Sequence, residues 1–133
     1  MAKETGLGWT TCTIDDQAGG TQALINDVTN LSFSTPRNVQ DVTGIDKSAI
    51  ERLHLLADFS IAHNGVFNDA TSASVHDVFK DLSNARTTTL VVSGQTLANE
   101  VLYTDYALTR AADGSFTFSV PGQLAGGVVP VWS

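Results

Sequence analysis

Alternation of apolar and polar side chains is clearest between Leu102 and Val120. Tyr106 and Leu108 mark one arm, and Phe116, Phe118 and Val120 mark the other, each separated by a polar or small residue. A period of two puts every second side chain on one face of a strand, so each arm reads as a strand with one buried face. Asp113-Gly114 lies between them, and Gly114 can take the positive φ of a tight connection. The stretch is a predicted hairpin, continuous with a strand over residues 97–104 in which Glu100 faces water.

Earlier in the chain, Trp9-Thr10-Thr11-Cys12-Thr13-Ile14-Asp15 runs into Asp16-Gln17-Ala18-Gly19-Gly20, and residues 21–25 can return antiparallel as a first hairpin. Asn26-Asp27 breaks it. Val28, Leu31 and Phe33 lead to Thr35-Pro36, where Pro36 has no N–H for a ladder and holds Thr35 extended. Residues 31–43 read as a hairpin whose outer half projects from the core. Residues 50–67 carry two patterns. Ser48 and Glu51 imitate a capping box, with Ile50, Leu53, Leu56 and Ala57 on one helical face. Leu53, Leu55, Ala57, Phe59 and Ile61 instead form an unbroken period-two series. The second pattern persists longer and ends at Asn64-Gly65, so a long strand is predicted, with room for a short helical turn before it.

One helix is expected, at about residues 72–82. Thr71 or Ser72 would cap it, Asp77 and Lys80 suit its dipole, and Val75, Val78, Phe79 and Leu82 make one apolar stripe. At about 10 residues it needs a sheet to pack on. Residues 86–93 form a Thr- and Val-rich strand, turned or bulged at Gly94-Gln95-Thr96. After Val120, residues 121–127 read as a flexible connector to the apolar terminus Val128-Val129-Pro130-Val131-Trp132. The chain is thus expected to be mainly β, a β-sandwich of about 8–9 strands with one flanking helix. A single domain over residues 1–133 is expected, with a flexible N-terminal arm (1–8) and a C-terminal extension (121–133).

Composition narrows the class. With 133 residues and 42% hydrophobic content, the chain can bury an ordinary core. No apolar run approaches the roughly 18 residues of a membrane span, and residues 1–6 show no signal-peptide stretch. One cysteine, Cys12, excludes an internal disulfide and a Cys-rich metal site, which suits a reducing cytoplasm. The formal charge of −7, from 14 acidic and 7 basic residues, disfavours direct phosphate binding. It leaves open a wall past which a polyanion slides, or acidity that simply maintains solubility.

Candidate chemistry is sparse. His54, His63 and His76 lie 9 and 13 residues apart, without metal-ligand spacing. They read as surface or half-buried side chains, with His54 and His63 on opposite faces of their strand. Asp15-Asp16 reads as turn chemistry beside Gly19-Gly20. Asp58 and Glu100 could act as acid and base, yet nothing in the sequence brings them together. Cys12 has no basic neighbour to lower its pKa and reads as a small buried hydrophobe. No enzyme, cofactor or metal is expected.

Assembly fits better. The terminal Val128–Trp132 patch needs a cover, from its own domain or a neighbouring copy. Open sheet edges suit closure into a ring. Three stretches resemble the major tail (tail-tube) proteins of siphophages that infect actinobacteria. The first begins Phe33-Ser34-Thr35-Pro36-Arg37-Asn38-Val39-Gln40-Asp41 and continues to Ser48. The second is Asp58-Phe59-Ser60-Ile61-Ala62-His63-Asn64-Gly65 and on to Asp69. The third runs from Thr104-Asp105-Tyr106-Ala107 to Val120 and closes with Val129-Pro130-Val131-Trp132.

The resemblance implies a virion protein, made in the host bacterial cytoplasm and assembled as stacked hexameric rings. One sheet of each subunit would line a continuous lumen through which DNA passes without specific binding. Tape measure, tail terminator and baseplate or distal tail proteins would be its partners, and no membrane. Six copies at −7 would bring −42 to a ring, and an acidic lumen would repel phosphate. Arg37, Asp41, Asp46, Lys47, Val129, Val131 and Trp132 are the expected ring-stacking or subunit contacts. A capsid decoration or head-to-tail connector protein shares the same character. A carbohydrate-binding module belongs to another class, and would display aromatics on a sheet face, whereas Phe33, Phe59, Phe116 and Phe118 fall in the core phase.

Overall fold

The computed structural model describes residue 3 and residues 5–133. Its strands are β1 (Trp9–Asp15), β2 (Thr21–Ala23), β3 (Val28–Ser34), β4 (Arg37–Asp41), β5 (Arg52–Ala57), β6 (Ser60–Val66), β7 (Arg86–Val92), β8 (Gln95–Tyr103), β9 (Ala107–Arg110) and β10 (Phe116–Leu124). One helix, α1 (Val75–Phe79), lies between β6 and β7. Eight strands form one antiparallel sheet in the order β2-β1-β7-β8-β10-β6-β3, with β9 also on β10. The remaining pair, β4-β5, stands apart.

β10 turns this sheet into two layers. One edge pairs with β6 from Thr117 to Gln123. The other edge pairs with β9 as far as Ser119 and with β8 from Gly122 onward. The layers β9-β10-β6-β3 and β2-β1-β7-β8 therefore share the second half of β10 and face each other. Pro121 sits at the handover between β9 and β8, where its carbonyl accepts from the Thr104 N–H at 3.2 Å. Alternation supplies the core: Ile61, Phe118 and Val120 from one layer meet Cys12, Ile14, Leu90, Leu97 and Val101 from the other. Close approach matters at Gly65, where a Cβ would lie 2.0 Å from the Asp27 carbonyl oxygen and 2.8 Å from Phe118.

The hairpin predicted around Gly114 forms between β9 and β10, with Gly114 at φ +96 and Ala111 N–H bonded to Ser115 O at 2.9 Å. The β1-β2 hairpin also forms, its turn held by Asp16, whose Oδ1 accepts from Ala18 and Gly20 N–H at 3.0 and 2.9 Å. These bonds, the Gly20 one first, hold the Asp16 carboxyl below its usual pKa. Residues 52–66 are strand, as the longer pattern predicts, with a break at Asp58-Phe59.

Several expectations need correction. The helix is five residues long, not eleven. Ala73 at φ +53 breaks the helical path ahead of it, and Ser74, not Thr71 or Ser72, caps it by accepting from the Asp77 N–H. At the other end, the Arg86 guanidinium takes the Val78 carbonyl at 2.5 Å and also the Asp81 carbonyl, giving the last turn partners outside the helix. Residues 31–43 do not pair with one another: β3 pairs with β6, and β4 with β5. The connector expected at 121–127 is strand as far as Leu124, because both edges of β10 continue to be paired there. The turn after β7 is Ser93-Gly94, both at positive φ, and Gln95 already belongs to β8. Phe116 is 38% exposed at the end of its ladder and packs on Phe67, with ring centroids 4.8 Å apart. The N-terminal arm expected over residues 1–8 lies partly outside the described residues; within them, Gly6–Gly8 is a single 3-10 turn capped by Thr5.

Candidate assembly surface

β4 and β5 continue the β3/β6 pair outward as one ribbon, with the Asp58 N–H bonded to the Pro36 carbonyl at 2.9 Å across the junction. Val39 pairs with His54, Gln40 with Leu53 and Asp41 with Arg52. Cross-strand partners share a face, so Val39 and His54 lie on one side, and Leu53 on the other with Gln40. Ten of the eleven ribbon residues are exposed. They include Val39, Leu53, Leu55 and Leu56, the last 81% exposed. Leu53 and Leu55, in phase with Phe59 and Ile61, are therefore outside the core: their period is that of a strand, but among the described residues they stay exposed.

The far end of the ribbon is closed by local bonds. Thr43 N–H and Oγ1 both bond to Asp41 Oδ1, at 2.9 and 2.6 Å, and Glu51 N–H donates to Thr43 Oγ1 at 2.8 Å. The Thr43 hydroxyl and N–H hold the Asp41 carboxyl below its usual pKa. Beyond lies an exposed loop with Ile45, Ile50 and the Asp46–Lys47 pair at 3.3 Å. An exposed pair of this kind contributes about 0–1 kcal/mol.

At the root of the ribbon, aromatic rings gather on Phe33. Trp9, Phe59 and Trp132 have centroids 6.1, 6.3 and 5.9 Å from it. The C-terminal segment reaches this cluster by pairing with β8: Thr96 and Ser133 exchange two backbone bonds of 2.9 Å, and Trp132 bridges Leu97. Trp132 is thus covered in part by its own domain, while Val128, Val129 and Val131 remain exposed. Of the expected contact residues, Arg37 stands at the base of the ribbon, Asp41 near its end and Asp46-Lys47 in its loop. Val129, Val131 and Trp132 lie in the segment whose end packs beside the root. Two neighbouring surfaces result. The apolar residues Val39, Ile45, Ile50, Leu53, Leu55 and Leu56 were not among those expected. Their signal was present in Leu53, Leu55 and Leu56, three leucines that occupy both parities of one short strand.

The polar residues considered for chemistry scatter. His54 is exposed on the ribbon. His76, on α1, has Nδ1 3.3 Å from the Tyr106 hydroxyl. His63 is fully buried rather than at the surface, because β6 turns Ile61, His63 and Gly65 into the core. Its Nε2 lies 3.2 Å from Tyr103 Oη, which is 2.5 Å from Thr88 Oγ1, and its Nδ1 has no partner among the described residues. Burial lowers the His63 pKa to about 4 and raises that of Tyr103. Cys12 is 2% exposed, and burial raises its thiol to about 11. Asp58 accepts from Phe59 N–H at 2.8 Å, and Glu100 from the Thr87 hydroxyl. Among the described residues, no group of three or more His, Cys, Asp or Glu side chains could hold a metal ion.

The molecule is therefore a β-sandwich with a projecting apolar ribbon, and among the described residues the candidate polar side chains do not come together. Solved structures share its fold, among them chains from gene transfer agent particles. A chain in the virion of a native gene transfer agent particle matches with a TM-score of 0.74 at 15% identity, covering 98% of this chain and 99% of that one. A chain in the tail of an empty gene transfer agent particle, computed with helical refinement and C6 symmetry, matches at 0.75 and 17% identity, covering 98% of both. No family model matches the chain, and no curated protein sequence matches it significantly. The fold is related, over nearly its whole length, to that of proteins in these particles.

Proposed function

We propose that the chain is a structural, non-catalytic subunit of a phage-like tail tube, polymerising as stacked hexameric rings around a conduit for DNA. The observation that carries this reading is the β4-β5 ribbon. Its leucines and valine face solvent on both sides, and a two-stranded ribbon is marginal in water unless something packs on it. The shared fold with a C6-symmetric tail, and the resemblance of residues 33–48, 58–69 and 104–120 to siphophage major tail proteins, support the same assignment. Arg37, Asp41, Asp46 and Lys47 then meet an adjacent ring or subunit, as do Val129, Val131 and the exposed edge of Trp132. The partners at the ends of the tube and within it are tape measure, terminator and baseplate or distal tail proteins. The site of action is the virion tail, built in the host cytoplasm. Negative-stain microscopy of the purified protein at high concentration tests the reading: rings or tubes are expected, and persistent monomers would remove it.

A further inference from the structure

The layer β9-β10-β6-β3 has one face in the core and one in solvent, and register fixes which side chains face out. They include Ser32 and Ser34 of β3, Ser60 and Asn64 of β6, and Thr117 and Ser119 of β10. The Ser34 and Ser60 hydroxyls are 3.0 Å apart, on the rim of a shallow depression of about 310 Å³. None of these four strands contains Asp, Glu or Lys. Their one Arg, Arg110, pairs with Phe116 and so shares the other face, in phase with Phe118. The opposite layer differs, because Glu100 there projects outward beside Thr87.

Edges distinguish the layers as well. A closed ring of identical copies needs a heterologous contact, in which one edge of a subunit meets a different edge of the next. β3 and β9 are both free on their outer side among the described residues. The opposite layer has one such edge, β2. Its other boundary, β8, is occupied by β10 at residues 101–103 and covered further along by Ala125, Trp132 and Ser133. Among the described strands, β9-β10-β6-β3 is the layer that can be continued on both sides around a ring.

Resting on the tail-tube reading, the geometry points to the solvent face of β9-β10-β6-β3 as the wall of the bore, an uncharged wall of hydroxyl and amide groups interspersed with Ala62, Val66 and Pro121, past which hydrated DNA moves. Holding phosphate requires Lys or Arg that displace counterions, and this face has neither. It also has no carboxylate to repel phosphate. Its hydroxyls and amides bond water instead, so the passing duplex meets a hydrated surface of low affinity. The acidic lumen expected from a net charge of −7 is replaced by a neutral one, with the carboxylates carried elsewhere on the subunit.

The test uses Ser119→Cys in the full chain, assembled and then treated with thiol reagents. Cys12 is buried, so the wild type serves as the unlabelled control. A polymer-linked maleimide too bulky for the bore is expected to label the variant before assembly but not after. Small cationic and anionic methanethiosulfonates are both expected to label the tubes. At low ionic strength their rate ratio should stay within about twofold of that for the unassembled variant. A shift of about tenfold toward the cationic reagent means an acidic wall and overturns the neutral one. Tubes that react with the bulky reagent overturn the placement of this face and leave the tail-tube reading standing. A wild-type chain that forms neither rings nor tubes removes that reading itself. Where Ser119→Cys alone blocks assembly, Ser32→Cys on β3 carries the same measurement.

Discussion

Around Arg86 and His63 this protein buries polar groups, and along β4-β5 it exposes apolar ones. The first region is completed within the chain. Arg86 is 2% exposed, yet its guanidinium reaches the carbonyls of Asp15, Val78 and Asp81 and the side chain of Asn84. Those bonds tie β1, α1 and the turn before β7 together. The ribbon has its internal ladder and end-closing bonds, yet among the described residues Leu53, Leu55 and Leu56 stay exposed. Buried polarity is satisfied within the fold, while the apolar side chains of the ribbon are left in solvent.

That contrast can be broken by experiment. Arg86→Leu should have the largest effect on the isolated chain, about 4 kcal/mol, because it leaves buried carbonyls without donors. A urea midpoint that hardly moves would show that the buried network is not what holds this region. Acidification comes next. His63 has a folded pKa of about 4 against 6.5 for the free side chain. The unfolded state therefore binds the extra proton between those values. Stability is full above pH 6.5 and falls as pH drops toward 4, by about 3 kcal/mol. Comparing unfolding curves at pH 7 and 4.5 with those of His63→Gln should show the slope flattened in the variant.

On the ribbon the order reverses. The double change Leu55→Ser and Leu56→Ser should leave the stability of the isolated chain within about 0.5 kcal/mol, and should abolish rings and tubes under the microscope. Equal losses of stability and assembly would mean that the ribbon belongs to the folding unit. Smallest of all, Asp46→Asn should cost the isolated chain no more than a few tenths of a kcal/mol, since its partner Lys47 is exposed. Sedimentation of assembled tubes at low and high salt then shows whether the pair acts between subunits.

Period two was enough to find the strands, because each body strand buries alternate residues and the signal survives burial. The same signal misplaced Leu53 and Leu55, since alternation reports the pleat and not what lies on it. Ser74 as the helix cap could not be read locally, because the path into α1 is shaped by the turn at Asp27. That buried carboxylate accepts from Asn68 Nδ2 and the Val75 N–H at 2.9 and 3.1 Å, partners 41 and 48 residues away. His63 was hidden for a similar reason. Its burial depends on α1 closing over β6, with Phe79 at a 6.3 Å ring distance. Of the expected contacts, the apolar terminus stood out by composition, whereas Arg37, Asp41, Asp46 and Lys47 were named only through the resemblance. That Trp132 turns back onto Phe33 required the pairing of the terminus with β8.

β10 also has a mechanical consequence. It is held along one edge by seven consecutive register positions with β6, and along the other first by β9 and then by β8. Tension applied along this strand loads those ladders in shear, so many hydrogen bonds share the force at once instead of opening one by one. Within one subunit, a pull on β10 is therefore met by both neighbouring ladders together, not by one bond at a time.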